Sequence, residues 1–216
     1  CYHAVIAARV FDHGVLERMS GAVDIPIVNL LSDLSHPLQA VADLLTIRVE
    51  FGDGLVGRTL TWVGDYSNVA RSLALACAMS GIDVRFACPA GYDPPSDDLD
   101  LFRRTGSVEV TSADDPKSMV DGAHVVVTDA LYSMGQEAEA AVRRPVFEPY
   151  RVDGSLMGLA ADDAIFLHCL PAHRGEEVTD EVLDGPQSRV WPEAANSQPA
   201  ARGVLEWLLI ESEAHR

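Results

Sequence analysis

The order of apolar runs along the chain predicts an α/β protein with a parallel sheet and helices on both of its faces. Three observations carry this. Apolar runs of strand length alternate with segments of helical period from Thr59 to His168. The runs are short and break abruptly into Gly, Pro and Asp turns. Several of them end in polar residues, where an open parallel sheet gathers its ligands.

Taken in order, residues 3–10 read as a buried strand ending near Arg9, and 13–20 as a short helix. Residues 25–29 read as a strand with Pro26 near its beginning, where a missing donor is tolerated. Ser35 or His36 caps the next helix, with Pro37 in its first turn. Leu38, Val41, Leu44, Leu45 and Val49 form its expected apolar stripe. A Gly-rich turn covers 51–58. The regular alternation then begins. Strands are expected at 59–63, 84–88, 108–110, 125–128 and 164–168. Helices are expected at 69–80, closed by Gly81, and at 97–105, 116–120, 137–143 and 155–160. The tail, 199–213, is amphipathic through Val204, Leu205, Leu208 and Leu209, with Trp207 read as a packing residue. The fold expected is a Rossmann-like sheet with right-handed crossovers.

Composition narrows the partners. With 216 residues, 48% of them hydrophobic, the chain can bury a sizeable core. Sixteen Lys and Arg against 33 Asp and Glu give a net charge of -17, which argues against nucleic acid or an anionic membrane as partner. A small anionic ligand needs only a few local cations. The four cysteines, Cys1, Cys77, Cys88 and Cys169, form no CxxC pair, so neither a zinc site nor a redox motif is expected. Cys77 and Cys88 read as reduced core residues, which fits a cytoplasmic setting. No apolar run reaches membrane-spanning length.

The richest stretch is Phe166-Leu167-His168-Cys169-Leu170-Pro171-Ala172-His173-Arg174-Gly175. It places an imidazole and a thiol at a strand end, next to an X-Pro bond that a cis isomer would use to redirect the Leu170 carbonyl. Asp65/Asn68 and Asp129/Ser133 end two other strands, so one cleft could collect all three. Asp129 reads either as a turn residue or as a partner for an ammonium group. Ser133-Met134-Gly135 reads either as an ordinary loop or as part of that cleft. His36 and Gln39 share a face at a helix start, which presents free N–H groups to an anion or simply caps the helix. The Gly64-Asp65 turn is not a GxGxxG fingerprint, so a dinucleotide is poorly supported.

These motifs, in this order, resemble the carbamoyltransferases, and the ornithine branch among them. His36-Pro37-Leu38-Gln39 resembles the family's His-Pro-x-Gln. Gly64-Asp65-Tyr66-Ser67-Asn68 resembles its Gly-Asp-x-x-Asn turn. Asp129 to Gly135 resembles Asp-x-x-x-Ser-Met-Gly, and His168-Cys169-Leu170-Pro171 resembles the Cys-bearing loop of the ornithine branch. The resemblance implies carbamoyl transfer from carbamoyl phosphate to the δ-amine of L-ornithine, giving L-citrulline and phosphate, with no metal or organic cofactor. It implies that Arg9 contacts carbamoyl phosphate and that His36 and Gln39 hold its carbamoyl end. It assigns Asn68, Asp129, Ser133 and Met134 to ornithine, Cys169 to proton handling with Asp129, and the Leu170 carbonyl to the carbamoyl nitrogen. It implies a homotrimer in the intact protein.

It also implies a division of the chain. Residues 1–30 would be a remnant of the carbamoyl phosphate domain, 31–191 the ornithine domain, and 192–216 a helix packing back on the first domain. Two features depart from the pattern. The family's Ser-Thr-Arg-Thr-Arg phosphate loop is absent and would lie before Cys1. Its Glu-Asn-Arg reads Ala195-Asn196-Ser197, and a serine cannot supply a cationic fork. The chain by itself is therefore expected to be weak or inactive. A non-catalytic ornithine-binding relative, or a carbamoyltransferase for another amine such as putrescine, are the alternatives.

Overall fold

A computed structural model describes residues 3–132 and 139–214, the side chains of 211–214 excepted. Strands β3 (Thr59–Val63), β4 (Asp83–Ala87), β5 (Val110–Ala113), β6 (Val125–Thr128) and β7 (Ile165–His168) form one sheet in the order β5-β4-β3-β6-β7, and every pairing is parallel. The order runs outward from β3 in one direction and from β6 in the other, so the topology reverses between β3 and β6. Val63, Thr128 and His168 are in register, so β3, β6 and β7 end at one level.

The sheet is buried on both faces. On one side, Trp62, Phe86, Val125 and Leu167 pack against helices α2 (Pro37–Phe51), α3 (Asn68–Met79) and α4 (Ser96–Thr105) through Ile47, Leu73, Cys77 and Phe102. On the other, Val63, Val126 and Phe166 meet α5 (Pro116–Val120), α7 (Gly154–Met157) and α8 (Asp180–Leu183) through Val120, Leu156 and Val182. Cys77 and Cys88 are core residues, as expected.

Before the main sheet, β1 (Ile6–Arg9) and β2 (Ile27–Leu31) form a separate parallel pair, connected by α1 (His13–Ala22). A register shift falls between Ala8 and Arg9. Strand β2 begins two residues later than its sequence suggests, because Pro26 offers no N–H and contributes its carbonyl to Ile6 instead.

Helix α3 is capped by the Ser67 hydroxyl, which accepts from the Ala70 N–H, and Gly81 follows it at φ +76°. Helix α6 (Ala140–Phe147) lies later than the 137–143 expected for it.

The buried face of α2 differs from its predicted stripe. Val41 and Val49 are exposed, while Ala40, Asp43, Thr46 and Ile47 are buried. The two inward polar residues have partners on α9 (Val190–Ala214), with which α2 packs. Helix α9 starts at Val190, two residues before the 192 expected for the returning helix and nine before the amphipathic stretch begins at Pro199. Trp207 is not packed: it is 61% exposed. Among the described residues no helix is long and apolar enough to cross a membrane.

Candidate active site

The joint carboxyl ends of β3, β6 and β7 place three polar segments side by side. Asp129 follows β6, Cys169 follows β7, and Asn68 opens α3 after β3. The Cys169 thiol donates to Asp129 Oδ1 at 3.2 Å, and the Ala130 N–H donates to the same oxygen at 2.7 Å. Burial pushes the Cys169 thiol well up, and the carboxylates of Asp129, Asp43 and Glu193 push it the same way. The sulfur is therefore a protonated donor at neutral pH rather than a thiolate.

The Cys169 loop is fixed from behind. His168 is buried, and its Nδ1 accepts from the Leu170 N–H at 2.9 Å. Its Nε2 therefore carries the hydrogen and faces Glu177 Oε1 at 3.3 Å. Glu177, equally buried, also accepts from the His173 N–H at 2.5 Å. The Leu170–Pro171 peptide is cis, and Leu170 sits at φ +61°, the left-handed region that costs a side-chain-bearing residue about 1–2 kcal/mol. Among the described residues it is the one non-glycine there, and such positions cluster at functional sites.

The facing wall is the start of α2. His36 is its N-cap, with a backbone N–H that donates to Ser72 Oγ at 2.8 Å. Its Nδ1 is buried and has no hydrogen-bond partner among the described residues. Burial, and then the nearby charge of Arg9, hold the imidazole below its usual pKa, while Asp129 opposes them. A neutral imidazole beside both charges thus links the end of β1 to the end of β6. Arg9 itself is exposed at the end of β1. Three residues on from His36, the Gln39 amide donates to Asp43 Oδ1 at 2.7 Å and to Glu193 Oε1 at 3.1 Å. Asn68 Nδ2 donates to the Ser32 carbonyl at 2.5 Å, which joins the α3 start to the β2–α2 loop.

The structure thus gathers Arg9, His36, Gln39, Asn68, Asp129, Cys169 and Leu170 around one edge. Ser133 and Met134 lie outside the described residues. Asp65, grouped with them by sequence, does something else. Its carboxylate pairs with the buried Arg143 guanidinium, whose Nε donates to the Leu131 carbonyl at 2.5 Å. Arg143 also lies over the rings of Tyr92 and Phe147, 4.9 and 5.0 Å from their centroids. That cluster ties Leu131, just after Asp129, to the turn after β3. Ser197 points along its own helix, its hydroxyl donating to the Glu193 carbonyl at 3.5 Å.

Sequence reasoning passed over Asp43, Glu193, Glu177 and Arg143. One signal was present: Asp43 stands four residues after Gln39, on the same face of a helix that buries that face.

Asp129, His168 and Cys169 offer ligand atoms within 4.8 Å of one another. The His168 Nδ1 lone pair already accepts the Leu170 N–H and Nε2 faces Glu177, so the set is committed to hydrogen bonds.

Two family models match the chain. The aspartate/ornithine carbamoyltransferase carbamoyl-P binding domain covers residues 1–49, and the Asp/Orn binding domain covers 56–208. An ornithine carbamoyltransferase of a Nostoc species is 46% identical over 210 residues, 96% of this chain and 68% of the relative. One from Acidothermus cellulolyticus is 48% identical over 212 residues, covering 96% and 67%. The solved ornithine carbamoyltransferase of Pyrococcus furiosus superposes with a TM-score of 0.90 at 43% identity, over 94% of this chain and 66% of its own. That of Thermus thermophilus gives 0.86 at 41%, over 96% and 67%. The chain spans about two thirds of the length of these relatives. With both domain models matched in order and identities well above 40%, the chain belongs to the aspartate/ornithine carbamoyltransferase family.

Proposed function

We propose that the protein transfers the carbamoyl group of carbamoyl phosphate to the δ-amine of L-ornithine, giving L-citrulline and phosphate. The observation that carries this is the Cys169–Asp129 hydrogen bond at the joint end of β6 and β7, opposite a His36 whose buried Nδ1 has no partner among the described residues.

The chemistry follows from the groups present. The δ-amine must be neutral to attack, so its proton has to leave toward a nearby acceptor. Asp129 is that acceptor or its relay, and the protonated Cys169 beside it orients the amine rather than attacking the carbon. A new N–C bond forms, charge grows on the carbonyl oxygen, the C–O bond to phosphate breaks, and the second amine proton leaves with the phosphate. Neutral His36 supplies a donor to that oxygen, Gln39 and the Leu170 carbonyl receive the carbamoyl NH2, and Arg9 meets the leaving phosphate. Asn68, with Ser133 and Met134, takes the α-amino and carboxylate end of ornithine. No metal or organic cofactor enters this scheme.

The domain division at 1–30, 31–191 and 192–216, a cytoplasmic location and a trimeric assembly belong to the same reading. So does reduced activity of the chain on its own. The test is a citrulline assay with the complete carbamoyl phosphate domain joined ahead of Cys1, over a panel of ornithine, putrescine and acylated ornithine. Citrulline from ornithine alone supports the reading. Ornithine binding by calorimetry without turnover makes the protein a binding relative, and turnover of putrescine changes the substrate.

A further inference from the structure

Two carboxyl groups lie behind Gln39, both about 1% exposed: Asp43 on α2 and Glu193 in the first turn of α9. Both accept from the same Gln39 nitrogen deep in the protein, where two full negative charges so close together would repel, so a proton is kept between them. The Gln39 Nε2 donates to one acid at 2.7 Å and to the other at 3.1 Å. Both amide hydrogens are therefore committed, and Oε1 is left at the other end of the amide group. Glu193 has a second duty: its Oε2 accepts from the His168 N–H at 2.8 Å, one residue before Cys169.

We propose that Asp43 and Glu193 are positioning residues, an acid pair sharing one proton that locks the Gln39 carbonyl oxygen toward the carbamoyl NH2 and ties it to the Cys169 loop. The inference rests on the carbamoyl transfer reading above. Geometry assigns the roles. Nε2 is the one group of Gln39 that satisfies two acids, and only an oxygen accepts from an amide NH2 of the substrate. Burial raises both acids; Asp43 raises Glu193 further, whereas the hydrogen bonds from Glu193 and Gln39 lower Asp43, and Asp129 adds to both. Among the described residues, Cys169 and, from α3, Cys77 also face the pair.

The test compares Asp43→Ala, Asp43→Asn and Glu193→Gln in the enzyme with its complete carbamoyl phosphate domain. Asparagine keeps a donor toward Glu193 in place of the shared proton. It is expected to stay within about threefold of the parent, because the Gln39 geometry survives. Alanine and Glu193→Gln should lose roughly tenfold or more in kcat and raise KM for carbamoyl phosphate, with KM for ornithine little changed. The alkaline limb of the parent's rate profile should move to higher pH in Asp43→Asn, which has no acid proton to lose.

Equal damage from asparagine and alanine overturns the proposal, as does an unchanged carbamoyl phosphate KM in both disruptive variants. Should alanine fail to fold, the contrast between Asp43→Asn and Glu193→Gln carries the test. An infrared difference spectrum, parent minus Asp43→Asn, needs no activity. A protonated carboxylic acid band at neutral pH is expected, and its absence overturns the shared proton. If the parent makes no citrulline yet shows the band, the transferase reading has failed and the acid pair stands.

Discussion

Cys169 carries the sharpest expectation at the scale of single residues. A thiol kept protonated by burial and by three neighbouring acids should alkylate slowly. Iodoacetamide labelling of Cys169 at pH 7, followed by mass spectrometry, is expected to be at least about tenfold slower than for an unperturbed cysteine peptide. Labelling as fast as the peptide would show a thiolate and remove the donor role.

The acid pair makes a second prediction, through stability. A carboxyl whose folded pKa lies above its unfolded value binds more protons folded than unfolded. Its stabilisation is therefore complete below the unfolded pKa near 4 and is lost as pH rises through the folded one. For Asp43, raised to about 7, that window runs from about pH 4 to 7. Denaturation free energy should fall across it by up to ~1.4 kcal/mol per pH unit for each proton retained. Asp43→Asn should flatten this slope, and an unchanged slope in urea titrations would place the proton elsewhere.

Why the sequence concealed these two acids is a matter of distance. His36, Gln39, Asn68, Asp129 and Cys169 sit in short local patterns that resemble a known site, so they could be read directly. Asp43 becomes intelligible only beside Glu193, which is 150 residues away. Without that partner, an acid in an apolar stripe reads as an interruption. The stripe was consequently drawn one face away, through Val41 and Val49.

At the scale of elements, the agreement was closest where turns punctuate the chain. Strands β3 and β6 and helix α5 fall at the residues expected, because Gly, Pro and Asp bound each of them. Helix α9 begins at Val190, two residues before the 192 that the resemblance implies, while its amphipathic stripe is legible only from Pro199. Pro192, in the first turn, gives up an N–H that has no partner there anyway.

Two contacts between elements invite measurement. A Cβ on Gly106 would stand 1.9 Å from the Ala78 carbonyl oxygen, a backbone atom of α3. Gly106→Ala must push α3 from the end of α4, at about 1–3 kcal/mol or more, lowering Tm by several degrees. A thermal melt within one degree of the parent would mean that the contact yields freely.

Arg143 joins α6 to the turns after β3 and β6. Replacing it with leucine leaves Asp65 without its cation in a largely buried place, at about 3–5 kcal/mol. The double variant Arg143→Leu/Asp65→Leu should recover part of that loss, and a purely additive double variant would show that the pair is uncoupled.

For the whole molecule, the charge of -17 on 216 residues is a source of self-repulsion. Salt screens it with a Debye length of about 30 Å at 0.01 M and about 10 Å at 0.1 M. Tm should therefore rise by a few degrees between those salt concentrations, and a fall would mean that surface ion pairs such as Arg174 with Asp180 and Asp184 dominate instead.

The common terminus of β3, β6 and β7 sets a limit on how such a site can change. Strand position is quantised: one residue of slip moves a side chain about 3.3 Å and turns it to the other face. Asp129 and Cys169 meet because Thr128 stands opposite His168. A single-residue insertion in β6 would not loosen their contact but abolish it, sending Asp129 to the wrong side of the sheet. Variation in a lineage carrying this edge is therefore confined to substitutions and to loop lengths, while the strands that aim the chemistry keep a fixed count.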